Sequence, residues 1–336
     1  MKNGSVGRHM LQATLTSAFR DNGPKRSFRN LVELGEKFSA GRRQRAFFSA
    51  IREMLRKDSS AYYLLWERVV RDTDHDCLQT FGINVGYNGC TSGIRTLRAL
   101  ERIHRCGIPA IVGACYNGRE MDARALEELL RQGEKLGIFT YVVDYRGGDV
   151  GALATVLAAH KDAGFIVLTG DCALENQAVS LLTARKNVML AVSADRSDFS
   201  DCCQLLHEAH ALYCVYAGYD ETRAGEILGG DFIERIGAFS ATFVLLLPED
   251  DVTRQTSGEV GAFAAKARRD QRWPFIPMDL REDLVAIERN IARCACFVRF
   301  DPDGRLVTQS GRAEDPGLNI RSLGLLDIFK KTLVLE

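Results

Sequence analysis

The sequence predicts an α/β fold built from parallel strands, on three observations. Six short apolar runs, at 108–115, 138–145, 164–171, 187–195, 212–220 and 239–248, follow one another along the chain. Amphipathic helical stretches such as 122–136 and 150–160 lie between them. Runs apolar on both faces and separated by helices are strands buried on both sides, as in the parallel sheet of repeated βα units. Several runs end in an acid or a glycine: Asp144, Gly170-Asp171, Asp195 and Asp220. The C-terminal ends of parallel strands are where α/β barrels build their sites.

The elements before and after this core follow from periodicity and breakers. Phe28, Leu31, Leu34 and Phe38 recur at helical spacing, as do Phe47, Phe48, Ile51 and Leu55, and each set marks one helix face. Asn22-Gly23-Pro24 breaks the chain before the first set. Asp58-Ser59-Ser60 ends one helix or caps the next, expected over 61–70. A helix over 92–104 places Ile94, Leu97, Leu100 and Ile103 on one side. After residue 250 a helix over 257–269 leads to 274–280. The segments 294–300 and 305–309, around Asp301-Pro302-Asp303-Gly304, read as a β-hairpin, and 319–329 as a closing helix.

Composition narrows the class. Of the 336 residues 46% are hydrophobic, enough for a sizeable core. No apolar run approaches the roughly 18 residues of a membrane span, and residues 1–10 lack an apolar signal core, so a cytoplasmic protein is expected. The ten cysteines are scattered and form no C-x-x-C pair, which argues against a zinc ribbon. The formal net charge is zero, yet basic residues outnumber acidic ones fifteen to six over residues 1–71. Such an imbalance is either a solvated helical face or a contact for an acidic protein or anionic membrane. Nucleic acid is a third candidate partner and the weakest, because few aromatic side chains are placed to stack on bases.

From about residue 28 to the C-terminus the order of segments resembles a radical SAM subgroup with a SPASM-like C-terminal extension. Phe28-Arg29-Asn30-Leu31-Val32 and Thr80-Phe81-Gly82-Ile83-Asn84 resemble its helical leader segments. Ile108 through Glu120 falls where the family has its first strand and cluster loop, C-x-x-x-C-x-x-C. Here Cys115 takes the third cysteine place, and Val112 and Ile108 stand at the second and first. Gly147-Gly148-Asp149-Val150 sits where the family has Gly-Gly-Glu-Pro, the loop for the methionine amino group of S-adenosylmethionine. Leu168-Thr169-Gly170-Asp171 and Val192-Ser193-Ala194-Asp195 fall on the third and fourth strand ends. Phe300 through Val307 resembles the SPASM hairpin, with Thr308-Gln309 where that family has Pro-Cys.

The resemblance implies a partial (β/α)6 TIM barrel over 107–250, a helical leader over 1–106 and a degenerate SPASM-like extension over 251–336. It also implies a relic cofactor site at Cys115, Gly147, Gly148, Asp149, Ser193 and Asp195. Valine and isoleucine offer iron no lone pair, so two of three ligands for a [4Fe–4S] cluster are missing. Cys90 and Cys106 are the candidates to replace them. Two other groupings stand out. Cys202, Cys203, His207 and His210 read as one helix, on which Cys203, His207 and His210 share a face, a grouping that suits a transition metal or a polar outer helix. Asp144, Arg146, Asp149, Asp171, Asp195, Tyr219 and Asp220 would ring the opening of a barrel.

Kept fold and lost ligands lead to the expectation of a non-catalytic radical SAM homologue, a binding or scaffold subunit that pairs with an active radical SAM paralogue or presents a substrate. No cofactor or metal is then expected, and no catalytic residue is assigned. The alternative is an enzyme that reuses the barrel mouth, of radical SAM type or with other S-adenosylmethionine or nucleotide chemistry.

Overall fold

The computed structural model describes residues 2–20, 24–39, 42–170, 176–239, 242–249, 251–292 and 297–335. Its strands are β1 (Ile111–Tyr116), β2 (Thr140–Tyr145), β3 (Gly164–Leu168), β4 (Val188–Ser193), β5 (Tyr213–Tyr219), β6 (Phe243–Pro248), β7 (Ile276–Asp279), β8 (Val298–Phe300), β9 (Leu306–Thr308) and β10 (Gly311–Arg312). They lie in the sheet in the order β10-β9-β8-β1-β2-β3-β4-β5-β6-β7. Of the six strands expected from the apolar runs, β1 to β4 are joined in chain order by parallel ladders, and β5 and β6 by another. Two further parallel strands extend the set, β7 against β6 and β8 against β1. β7 escapes a reading of apolar runs because it is four residues long and contains Pro277, while β8 is the first strand of the expected hairpin, here also paired with β1.

The chain packs as two compact units, Thr80–Ala191 with Leu284–Glu336, and Met1–Gln79 with Val192–Asp283. In the first, every residue of β1 is buried. Gly133 faces Tyr141 of β2 so closely that a Cβ there would lie 2.2 Å from the Tyr141 hydroxyl, which sets the helix Ala123–Leu136 on the Tyr141 face of the sheet. Asp122 caps that helix through the Ala125 amide, and Gly137, at φ +90°, ends it. Left-handed backbone of this kind favours glycine. A π-helix, Ile83–Ser92, precedes the helix Gly93–His104. It brings Asn84 and Asn88 inward, where their amides donate to the carbonyls of Lys161, Asp162 and Ala163. Buried amides require such partners.

The entry to β1 hangs on two buried acids. Ala110 N and Ile111 N donate to Glu288 Oε1 at 2.8 Å, and Ile108 N donates to Glu101 Oε1. Downstream, β8 and β9 form the expected hairpin. Asp301 Oδ1 accepts from Asp303 N and Arg305 N, and Gly304 sits at φ +81°. The closing helix begins later than the sequence suggests, at Leu325 and not near 319. Asn319 bridges Arg305 and donates to Asp303 O, while Ile320 N donates to Gly304 O. The segment is therefore spent on closing the hairpin.

In the second unit the N-terminal helices bury their apolar faces. Val32, Leu55, Tyr62, Tyr63 and Leu65 are buried together, with Phe28, Phe48, Ile51, Met54, Val69 and Ile276 against them. Phe28 stacks on Trp66 at 5.0 Å. Gly35 lacks a side chain because the Phe48 ring fills that space. Each fully buried side chain of this size stabilises by about 1.5–3 kcal/mol. The apolar positions Phe28 and Phe48 thus serve the fold of their own unit. The side chains of Phe38 and Phe47 lie outside those described. Among the described residues no helix is long and apolar enough to cross a membrane.

Candidate functional site

The six residues expected at the cofactor site fall in both units, four in one and two in the other. In the unit Thr80–Ala191 with Leu284–Glu336, Cys115 lies on β1, on the face opposite that of Tyr116 and Tyr141, with Asp144 as its register partner on β2. The thiol is buried, and burial pushes it up to about 12, with the Asp144 carboxylate adding to the effect. A nucleophilic cysteine needs the opposite environment. Asp144 is already paired with Arg146 at 2.7 Å. We therefore expect Cys115 to be alkylated by iodoacetamide at pH 8 at least about 100-fold more slowly in the folded protein than in urea. Peptide mapping by mass spectrometry measures this, and equal rates would contradict the buried, protonated thiol.

The glycine pair has a tight structural assignment. Gly147 and Gly148 adopt φ +112° and +97°, and Gly118, in the loop after β1, adopts +68°. A Cβ on Gly148 would lie 2.7 Å from Gly118 Cα, and one on Gly118 the same distance from Gly148 Cα. The two loops touch backbone to backbone. Tyr145 donates to Gly148 O, and Tyr116, its ring 6.1 Å from that of Tyr145, donates to Asp149 O. Asp149 Oδ1 accepts from Gly151 N and Ala152 N, capping the helix Val150–Ala159. Close backbone approach, one of the two reasons for a glycine pair, is met within the chain itself.

The candidate replacement ligands are elsewhere. Cys106 pairs in an isolated bridge with Val334, and Cys90 lies in the π-helix, pushed up to about 11 by burial, with Glu288 adding. Ile108 and Val112 are fully buried. Among the described residues no group of three His, Cys, Asp or Glu side chains is arranged to hold a metal ion.

In the other unit, Ser193 ends β4, buried, and its hydroxyl accepts from Asp195 N. Asp195 is ion-paired with Arg223, whose Nη1 also donates to Gly218 O. Asp220 caps the helix Glu221–Gly229 through Arg223 N. Tyr219 does not join these exposed groups: it is buried, and its hydroxyl donates to Asp279 Oδ2. Burial raises Asp279 to about 6. Asp171 lies outside the described residues. The grouping of Cys203, His207 and His210 also fails on geometry. The helix ends at Glu208, Cys203 is buried while His207 is exposed, and His210 turns into left-handed backbone at φ +50°.

No family model and no curated protein matches the sequence. Solved structures of SuiB from Streptococcus suis, a member of the radical SAM family, do match. SuiB bound to S-adenosylmethionine aligns with a TM-score of 0.50 at 12% identity over 72% of this chain and 68% of that one. A second crystal structure of SuiB gives 0.51 at 13% identity over 72% and 70%. SuiB bound to its precursor peptide SuiA gives 0.50 at 13% identity over 70% and 68%. At such identity the likeness shows the fold, an α/β arrangement similar to that of SuiB.

Proposed function

We propose that this chain is a radical SAM homologue without iron–sulfur catalysis that serves as a binding subunit for a peptide or protein partner. One observation carries the reading. Where the resemblance puts the first two cluster cysteines, Ile108 and Val112 are fully buried apolar side chains, and Cys115 at the third place is a buried thiol. Iron needs several thiolates converging on one loop, and a lone protonated thiol supplies none. The cofactor loop supports the same reading. Gly148 rests on Gly118, and the Asp149 carboxylate is engaged by two amides of its own helix. Cys115, Gly147, Gly148, Asp149, Ser193 and Asp195 are on this account relics kept for packing. A peptide partner is suggested by SuiB, which has been solved with its precursor peptide.

The test is anaerobic reconstitution with iron and sulfide, followed by metal analysis and calorimetry with S-adenosylmethionine. The expected result is no stoichiometric thiolate-to-iron absorbance and no S-adenosylmethionine binding tighter than about 100 μM, or roughly 5.5 kcal/mol. About four irons per chain, lost on Cys90→Ala or Cys106→Ala, would restore an enzymatic reading with substitute ligands. Low-micromolar S-adenosylmethionine binding without iron would favour an enzyme that reuses the same loops.

A further inference from the structure

Charge is segregated within the unit Met1–Gln79 with Val192–Asp283. Residues 24–57 hold ten Lys and Arg against three Asp and Glu, and residues 192–251 hold three against twelve. The basic side chains Lys25, Arg26, Lys37, Arg45, Arg52, Arg56 and Lys57 are exposed. Their ion pairs, Arg52 with Glu36 and Arg56 with Glu53, stay within the basic segment, and Arg26, Lys37 and Arg45 make none among the described residues. On the acidic side Asp201, Glu208, Glu226, Asp231 and Glu234 are exposed. Like charges held together on a folded surface repel, and a partner of opposite sign relieves that repulsion.

We propose that the chain self-associates, the helices Pro24–Phe38 and Arg42–Met54 of one copy docking on the helices Phe199–Glu208, Glu221–Gly229 and Asp231–Gly237 of a second. The complement to each surface is on the chain itself, and a two-fold pair makes the contact twice. A membrane is the poorer occupant. Binding in a lipid interface needs an apolar face to insert, and Phe28, Val32, Phe48 and Ile51 of these helices are spent on their own core. Exposed ion pairs contribute about 0–1 kcal/mol each, so the assembly is weak and salt-sensitive.

Sedimentation velocity of the full chain over a concentration series reads this out. The mass should rise with concentration in about 50 mM salt and return to that of a monomer in about 0.5 M, where the Debye length has fallen several-fold. Arg26→Glu, Lys37→Glu and Arg45→Glu together should give a monomer, as should Asp201→Lys, Glu226→Lys and Asp231→Lys together. Circular dichroism and melting check that both variants are folded. Mixing the two should restore a salt-sensitive complex, because each now carries the other's complement. A monomer at low salt, association that survives either reversal, or no rescue on mixing would each overturn the proposal. Flotation of the monomer with anionic vesicles would assign the basic helices to a membrane.

Discussion

Glu288→Ala should destabilise the protein by about 4 kcal/mol, because the amides of Ala110 and Ile111 lose their acceptor in a fully buried site and a cavity is left behind. Glu288→Gln keeps an acceptor and should cost much less. The two variants also separate a pH effect. Burial raises Glu288 to about 8, with the neighbouring Glu101 adding, against the opposing pull of the two amides. The native state therefore holds this proton more tightly than the unfolded chain, whose carboxyl titrates near its ordinary value of about 4.5. The contribution to stability is whole below that lower value. It falls as pH rises, by up to about 1.4 kcal/mol per pH unit, and levels off above the raised value. Urea melts of the parent between pH 5 and 9 should show this loss, and Glu288→Gln should remove it. A parent and a Gln variant with the same pH slope would mean that Glu288 is ionised throughout, its charge held by the two amides.

Gly148→Val should be the most disruptive single change among Cys115, Gly147, Gly148, Asp149, Ser193 and Asp195, at about 3 kcal/mol or more. It places a β-branched residue at φ +97°, and its Cβ meets Gly118 Cα, which is backbone and has no rotamer to give way. Gly118→Ala meets the same contact from the other loop. The double substitution should cost less than the sum of the two, since the first already forces the loops apart. Denaturant melts and amide exchange of residues 116–120 and 146–150 measure both. Gly148→Val with unchanged stability would reopen the loop as a space kept for a ligand. The same clash makes the variant a poor probe of cofactor binding, because it would remove affinity by breaking the loop.

The sequence by itself determined the alternation and order of the six central strands, the C-terminal hairpin and the helical character of the N-terminal segment. Hydrophobic burial imposes a period on each, and Gly304 or an N-capping serine such as Ser60 marks its end. It also determined that Ile108 and Val112 offer a metal no donor, since that is a matter of residue type. Only the tertiary structure decided what the polar residues at the strand ends do. Asp122, Asp149 and Asp220 all precede helices and all cap them. A capping aspartate and a ligand-binding one look alike in sequence, although the helix that follows at once was a signal for the cap. Gly148 needed the neighbouring loop before its space could be seen to be filled by Gly118. Tyr219 lies at a strand end, yet the alternation of side chains turns it away from solvent onto Asp279. Glu288 could not be picked out from sequence as an anchor, because its partners are main-chain amides far from it along the chain. Those contacts exist only once the entry to β1 lies beside the helix that carries Glu288.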